Sequence, residues 1–324
     1  MADREPIDDL IQNPETDEER RALLQALVEI RRYASARLAL PDNDSYTSFV
    51  ELNDEAVVWN VVATPEFSMQ PTTWCFPIAG CVSYRGYYKN EAAEKYAAKL
   101  RSGQKQVSDV AVSGASAYST LGWFDDPVYS SMLRHGDIVL AEVIFHELAH
   151  QVLYVKNDSS FNEAFATTVA MFGVRRWLAE SAPERLPLYE LHLQRREGFN
   201  RLLDETSNAL TTLYNSDKSA IEKAQSKREI YAQLQVAYQT LKATWDGYSG
   251  YDKWFDRDLN NGHLALVSTY WKRVPALAQI MEACDGDFQR FYDLMKSQSK
   301  KVGAQGFSDG MLDEVRCKVE IPTK

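Results

Sequence analysis

The segment VIFHELAHQVLY, residues 143 to 154, places two of the chain's five histidines four positions apart, with a glutamate directly after the first. Residues four apart share one face of a helix, so His146 and His150 can aim their imidazoles at a common point. Glu147, about 100 degrees round the axis, can reach a water held there. Two imidazoles do not complete a catalytic zinc site, which takes three protein ligands and keeps one position open. Glu163, in SFNEAFATTV, is the candidate third ligand: it opens the next helix after a short turn, and antiparallel packing would set it near His150. Asp158 in that turn, His192 and His263 are rivals for the role. The plain alternative is a pair of structural histidines in a core helix. That reading leaves Glu147 ionisable and unpartnered in an apolar setting, whereas one divalent ion accounts for all the polar residues together. Zinc suits the donor set, which by itself also admits other divalent ions.

Those residues need a scaffold, and the flanking patterns supply one. Thr16 and Glu19 have capping-box spacing ahead of RRALLQALVEIRRYASARL, whose apolar residues recur every three or four positions and predict a helix. From Ser45 to about Tyr88 the runs SYTSFVEL, AVVWNVVATP and CVSYRGYY predict three strands. EAAEKYAAKLRSG predicts a helix ended by Gly103. VSDVAVSGASAYSTLGWF then predicts a strand that Asp125, Asp126 and Pro127 break just upstream of the motif helix. That helix is expected to start near Asp137 and to be followed by a second one in FNEAFATTVAMFGVRRWL. Beyond Pro187 the pattern is helical, with two charged amphipathic stretches at about 188 to 214 and 217 to 247 forming a hairpin, and a loop at 245 to 262. The expected class is α+β: an N-terminal helical segment (1–44), a core (45–180) with a small, largely antiparallel sheet on the motif helix, and a helical C-terminal lobe (181–324) that completes a cleft.

Composition narrows the function classes. A net charge of -10 with a pI near 5.1 offers no electrostatic footprint for a polyanion, so nucleic acid is excluded as a partner. No apolar run reaches the roughly 20 residues that span a bilayer, and the start MADREPIDDL has no signal-type apolar core. The four cysteines permit disulfides without requiring them.

HELAHQ, the following FNEAFAT, the upstream AYSTLGWFDDP and WCFPIAGCVSYRGYY together make the chain resemble the bacterial putative zinc aminopeptidase family, over most of its length from about Ile7 to beyond Leu259. The resemblance implies a zincin-like catalytic core of the gluzincin kind. It implies one zinc ion on His146, His150 and Glu163, Glu147 as catalytic base, and a peptide as substrate. One departure stands out: twelve residues separate His150 from Glu163, fewer than in thermolysin-like or large aminopeptidase enzymes. Members of the family often begin as envelope lipoproteins, so the resemblance implies an envelope or periplasmic setting. It also implies a trimmed mature form whose lipid anchor belongs to a longer precursor, and it makes a Cys75–Cys81 disulfide plausible beside the alternative of free buried thiols.

The reaction implied is peptide hydrolysis, with Glu147 taking a proton from the attacking water and returning it to the leaving amine. A further donor is needed for the oxyanion. Tyr270 and Tyr118 compete for it, and Asn260 and Asn261 are candidate substrate-binding residues, although a helical packing role and turn chemistry explain them equally well. The stretch GASAYSTLGWF could offer a sheet edge to an extended substrate. An exopeptidase must also hold a free ammonium, for which Glu142, Asp125 and Asp126 are the available carboxylates. Zinc endopeptidase action, and a binding or envelope-maintenance protein with a vestigial site, are the competing functions.

Overall fold

The molecule is built around two antiparallel helices that are apolar on most of their surface. The computed structural model describes residues 4–76, 80–103, 107–117, 119–308 and 310–317. At the N-terminus β1 (Glu5–Pro6) and α1 (Ile7–Gln12) lead into the long α2 (Glu18–Leu38). The cap of α2 is Asp17, whose side chain accepts from the Arg20 amide, and not Thr16, whose hydroxyl donates back to the Leu10 carbonyl. Leu24, Leu27, Ile30, Ala34 and Leu38 form the buried stripe of α2.

Next come β2 (Ser48–Val50), β3 (Val58–Pro65), β4 (Trp74–Phe76), β5 (Gly80–Val82), β6 (Arg85–Tyr87), α3 (Asn90–Arg101), β7 (Ser108–Ala115) and β8 (Val128–Tyr129). Among the described residues they form three small sheets instead of one. β3 lies between β6 and β7, antiparallel to both, with Val61 opposite Val112; β4 and β5 make a hairpin; and β2 joins β1 antiparallel and β8 parallel. The central sheet does not pack on the motif helix. Ala93 and Ala97 of α3 cover Val61, Ala63 and Val110, and a later helix, α9 (Asn261–Trp271), also packs on the sheet. There Gly262 comes so close that a Cβ would stand 2.8 Å from the Ala111 amide nitrogen. β7 stops at Ala115, so most of GASAYSTLGWF is irregular. The Ser116 carbonyl is taken by the Ser131 hydroxyl, and Leu121 and Gly122 both have positive φ.

The pair α4 (Gly136–Val152) and α5 (Ser159–Ser181) forms the centre. Phe161 to Ala166 are all buried, which marks a helix enclosed on every side. At Gly173 a Cβ would meet Phe145 at 2.8 Å and Leu38 at 2.9 Å, so α2, α4 and α5 can approach this closely only with glycine there. The expected hairpin is present as α6 (Leu186–Tyr214) and α7 (Ala220–Ala243), and the segment expected as loop contains the short α8 (Asp252–Phe255). Finally α10 (Val274–Ala283) and α11 (Phe288–Val302) return to the centre, where Phe291 stacks on Phe165 at 5.6 Å and the Tyr292 hydroxyl donates to the Leu38 carbonyl. Each large apolar side chain buried in this core contributes about 1.5–3 kcal/mol. Cys75 is bonded to Cys81 and Cys284 to Cys317. No helix among the described residues is long and apolar enough to cross a membrane.

Candidate metal centre

The turn between α4 and α5 is fastened from several sides, and this sets the register of the two helices. The Asn162 side chain accepts from the Val155 amide and donates to the Val155 carbonyl, at 2.7 and 2.9 Å. Asp158 caps α5 through the Phe161 amide and also takes both Arg273 Nη1 contacts and the Phe307 amide. Asp158 is therefore fully engaged in holding the turn and is not a ligand. Asn157, at φ 69°, accepts from the Cys81 amide and so ties the disulfide-closed β4–β5 hairpin to the same turn.

This register places Glu163 against the two histidines. His146 Nε2 lies 3.2 Å from Glu163 Oε2, His150 Nε2 lies 3.6 Å from the same oxygen, and the two Nε2 atoms are 3.1 Å apart. Four ligands at about 2.0–2.1 Å from a tetrahedral ion stand about 3.3 Å from one another, so the separations of these three donors are compatible with such a site. Among the described residues these are the His, Cys, Asp or Glu side chains that could hold a metal ion together. Burial alone would raise the Glu163 carboxyl, but hydrogen bonds and charge from His146 and His150 outweigh it and hold it at about 2. Burial likewise lowers His150, yet Glu163 prevails and raises it. The Glu147 carboxyl is shifted upward, chiefly by burial, with His146 and His150 opposing and Glu163 and Asp126 adding to it. A carboxylate raised in this way is better matched to taking a proton near neutral pH.

The cluster opens on a cleft of about 840 Å³. Asn60, Gly114 and Ala115 form the wall facing α4, and Tyr270 stands beside the histidines with its ring 6.5 Å from that of His146, stacked at 27°. The charge of Glu163, then burial, then Tyr84 and Glu147 keep the Tyr270 hydroxyl protonated. The mouth is aromatic: Phe76, Tyr88, Trp123 and Phe124 line it and are 43%, 78%, 69% and 71% exposed. Glu142, one turn before His146, also lines the cleft, and its Oε1 accepts from the Tyr189 hydroxyl at 2.6 Å and from Arg196 at 3.2 Å.

Several sequence candidates lie elsewhere. Asn260 caps α9 through the Gly262 amide and donates to the Val110 carbonyl, and Asn261 is wholly buried behind the sheet, so neither reaches the cleft. Their side chains lock α9 in place because an Asn pair at a helix start satisfies backbone groups first. His263 accepts from the Asn260 amide, and His192 stacks on Tyr189. Asp126 is buried and accepts from the Thr120 amide and hydroxyl. Tyr118 falls outside the described residues. Sequence reading did not single out Tyr84 or Tyr154, which line the cleft. Tyr84 sits in the aromatic run CVSYRGYY, a signal that could have flagged it.

A second hollow, about 780 Å³, lies between α2, α5 and the start of α11, where Arg37 is paired with Glu180 and Arg175 with Glu190. It carries none of the metal-binding donors and is remote from the chemistry.

In this α+β chain two histidines and a glutamate that could hold a metal ion converge at the foot of an aromatic cleft. The family model described as "Putative aminopeptidase" matches residues 1–305, and the chain belongs to that family. No curated protein and no solved structure matches it.

Proposed function

We propose that this chain is a zinc-dependent peptidase with a zincin-like core, acting as an aminopeptidase. The observation that carries the reading is the mutual spacing of His146 Nε2, His150 Nε2 and Glu163 Oε2, at 3.1, 3.2 and 3.6 Å. Imidazole and carboxylate donors at these separations suit one zinc ion with a position left open. When bound, zinc supplies Lewis acidity, drawing the pKa of water toward neutrality and polarising a peptide carbonyl.

The chain's own residues do the rest. Glu147, its carboxyl raised chiefly by burial, accepts a proton from the attacking water and hands it to the departing amine nitrogen. Tyr270, kept protonated next to His146, donates to the oxyanion. Among the described lining residues, Glu142 is the one carboxylate besides Glu147 and Glu163. Both of its hydrogen bonds end on Oε1, which leaves Oε2 to receive the substrate's terminal ammonium. The aromatic mouth suits apolar side chains of a peptide that extends past the cleaved bond. The two disulfides support an oxidising setting such as the cell envelope.

The test is metal analysis of purified parent and Glu147→Gln, with turnover measured on amino-acid amides and on amino-terminally blocked peptides. Equimolar zinc is expected in both proteins, with turnover lower by about 10²–10⁴-fold in the variant. Blocked peptides are expected to be cut poorly. Equal cleavage of blocked and free substrates would replace the exopeptidase reading with an endopeptidase one, and a chain that takes up no metal would end both.

A further inference from the structure

Asn60 is a polar residue in the middle of a strand that has no structural use for one. It stands among apolar neighbours in β3, VWNVVATP, with a strand paired on either side, and asparagine is a residue that strands disfavour. Strand alternation sets Trp59 and Val61 toward α3, so Asn60 and Val58 face the other way, where both line the cleft. The side chain is 9% exposed, and among the described residues its Oδ1 is buried with no hydrogen-bond partner. Buried polar groups are rarely left in that condition away from functional sites.

The neighbouring strand keeps the place open. Gly86 of β6 is directly opposite Asn60 in register, and a Cβ there would lie 2.8 Å from Val58 Cγ1 and 3.4 Å from Asn60 Oδ1. Glycine at 86 therefore leaves the Asn60 amide uncrowded on the sheet wall of the cleft, across from Glu142, His146 and Glu147 of α4. A primary amide carries both an acceptor and donors, and its terminal torsion is soft, so it can turn either end to a ligand. A peptide group offers the complementary pair, one N–H and one C=O.

We infer that Asn60 is a substrate-binding residue whose side-chain amide hydrogen-bonds a main-chain peptide group of the bound peptide, from the wall opposite the metal donors. The inference rests on the peptidase reading and adds to it the group that fixes the substrate backbone. Filling the cleft with peptide satisfies an amide that the fold alone leaves unsatisfied. An anchor on the main chain is indifferent to side-chain identity, which leaves selection among side chains to the aromatic mouth.

The test is calorimetric binding of an unblocked tetrapeptide amide to Glu147→Gln and to Glu147→Gln/Asn60→Val, which needs no turnover. Analogues in which each peptide bond in turn is replaced by an ester are run beside it; an ester lacks the N–H and is a weaker acceptor. Asn60→Val should weaken binding of the tetrapeptide about tenfold. One of the ester replacements should cost about as much in Glu147→Gln and nothing further once Asn60 is gone, because both changes delete the same bond. The melting temperature should not fall, since no internal bond is lost, and Asn60→Ala replaces the valine variant if that one does not fold. Unchanged affinity in the Asn60 variants, or ester penalties equal with and without Asn60, would overturn the inference. If the expected binding pattern is found but the parent turns over no peptide, the peptidase reading falls and Asn60 stands as a peptide-binding residue.

Discussion

Two buried polar clusters in this protein are opposites. At the start of α9, Asn261 Oδ1 accepts from the hydroxyls of Tyr214 and Tyr231, each at 2.9 Å, and Nδ2 donates to the carbonyls of Glu66 and Ser68, each at 3.1 Å. Its backbone amide donates to Asp109 Oδ2, which Lys227 also reaches at 2.6 Å. Between α4 and α5, three donor atoms lie within 4.8 Å of one another, and among the described residues His150 Nδ1 has no hydrogen-bond partner. The first cluster satisfies itself and so contributes to the fold. The second leaves a buried ring nitrogen unsatisfied, and incompletely satisfied polar groups of this kind are retained at functional sites despite their cost.

Removing a corner of the second cluster breaks the contrast most sharply. Glu163→Ala should weaken zinc binding by about a hundredfold or more and abolish turnover, read by metal content after dialysis and by amide hydrolysis. Retained metal and rate would mean that the crowded cluster is a folding feature like the Asn261 one. The complementary change is Asn261→Leu, which strands two tyrosine hydroxyls and two carbonyls. It should cost about 3 kcal/mol or more of stability in urea unfolding while leaving the metal content of the folded protein unchanged.

The smallest effect concerns pH. Burial, then Arg257 and Arg101, push the His263 imidazole down to about 4, against the opposing charges of Asp258 and Asp109. Between that value and the ordinary histidine value of about 6.5, the unfolded chain binds a proton that the folded chain does not, so stability falls as pH drops through this window. Protonation of Nδ1 would also remove its acceptance from the Asn260 amide. About 2 kcal/mol should be lost between pH 7 and pH 5 from this residue, and His263→Gln should flatten that part of the profile. An unchanged slope would show that the α9 junction tolerates charge and is less tightly satisfied than its hydrogen bonds indicate.

Legibility from sequence follows the range of the interactions. His146, Glu147 and His150 lie within one helical turn and a half, and Glu163 follows across a six-residue turn closed by local bonds of Asp158 and Asn162, so local pattern was enough to bring them together. The amphipathic stretches that became α6 and α7 were legible for the same reason. Asn260 and Asn261 were misplaced because their partners, Val110, Glu66 and Tyr214, are distant in the chain. GASAYSTLGWF has strand-forming residues, yet bonds from Ser131 and Asp126 bend it into the cleft wall after Ala115.

The sequence by itself determined which donors could share an ion and which segments would be helices, since both depend on spacing along a repeating backbone. Only the tertiary structure decided that the sheet rests on α3 and α9 with α4 across the cleft, and that Cys284 meets Cys317. Those outcomes depend on contacts between residues far apart in the chain, which local spacing does not encode.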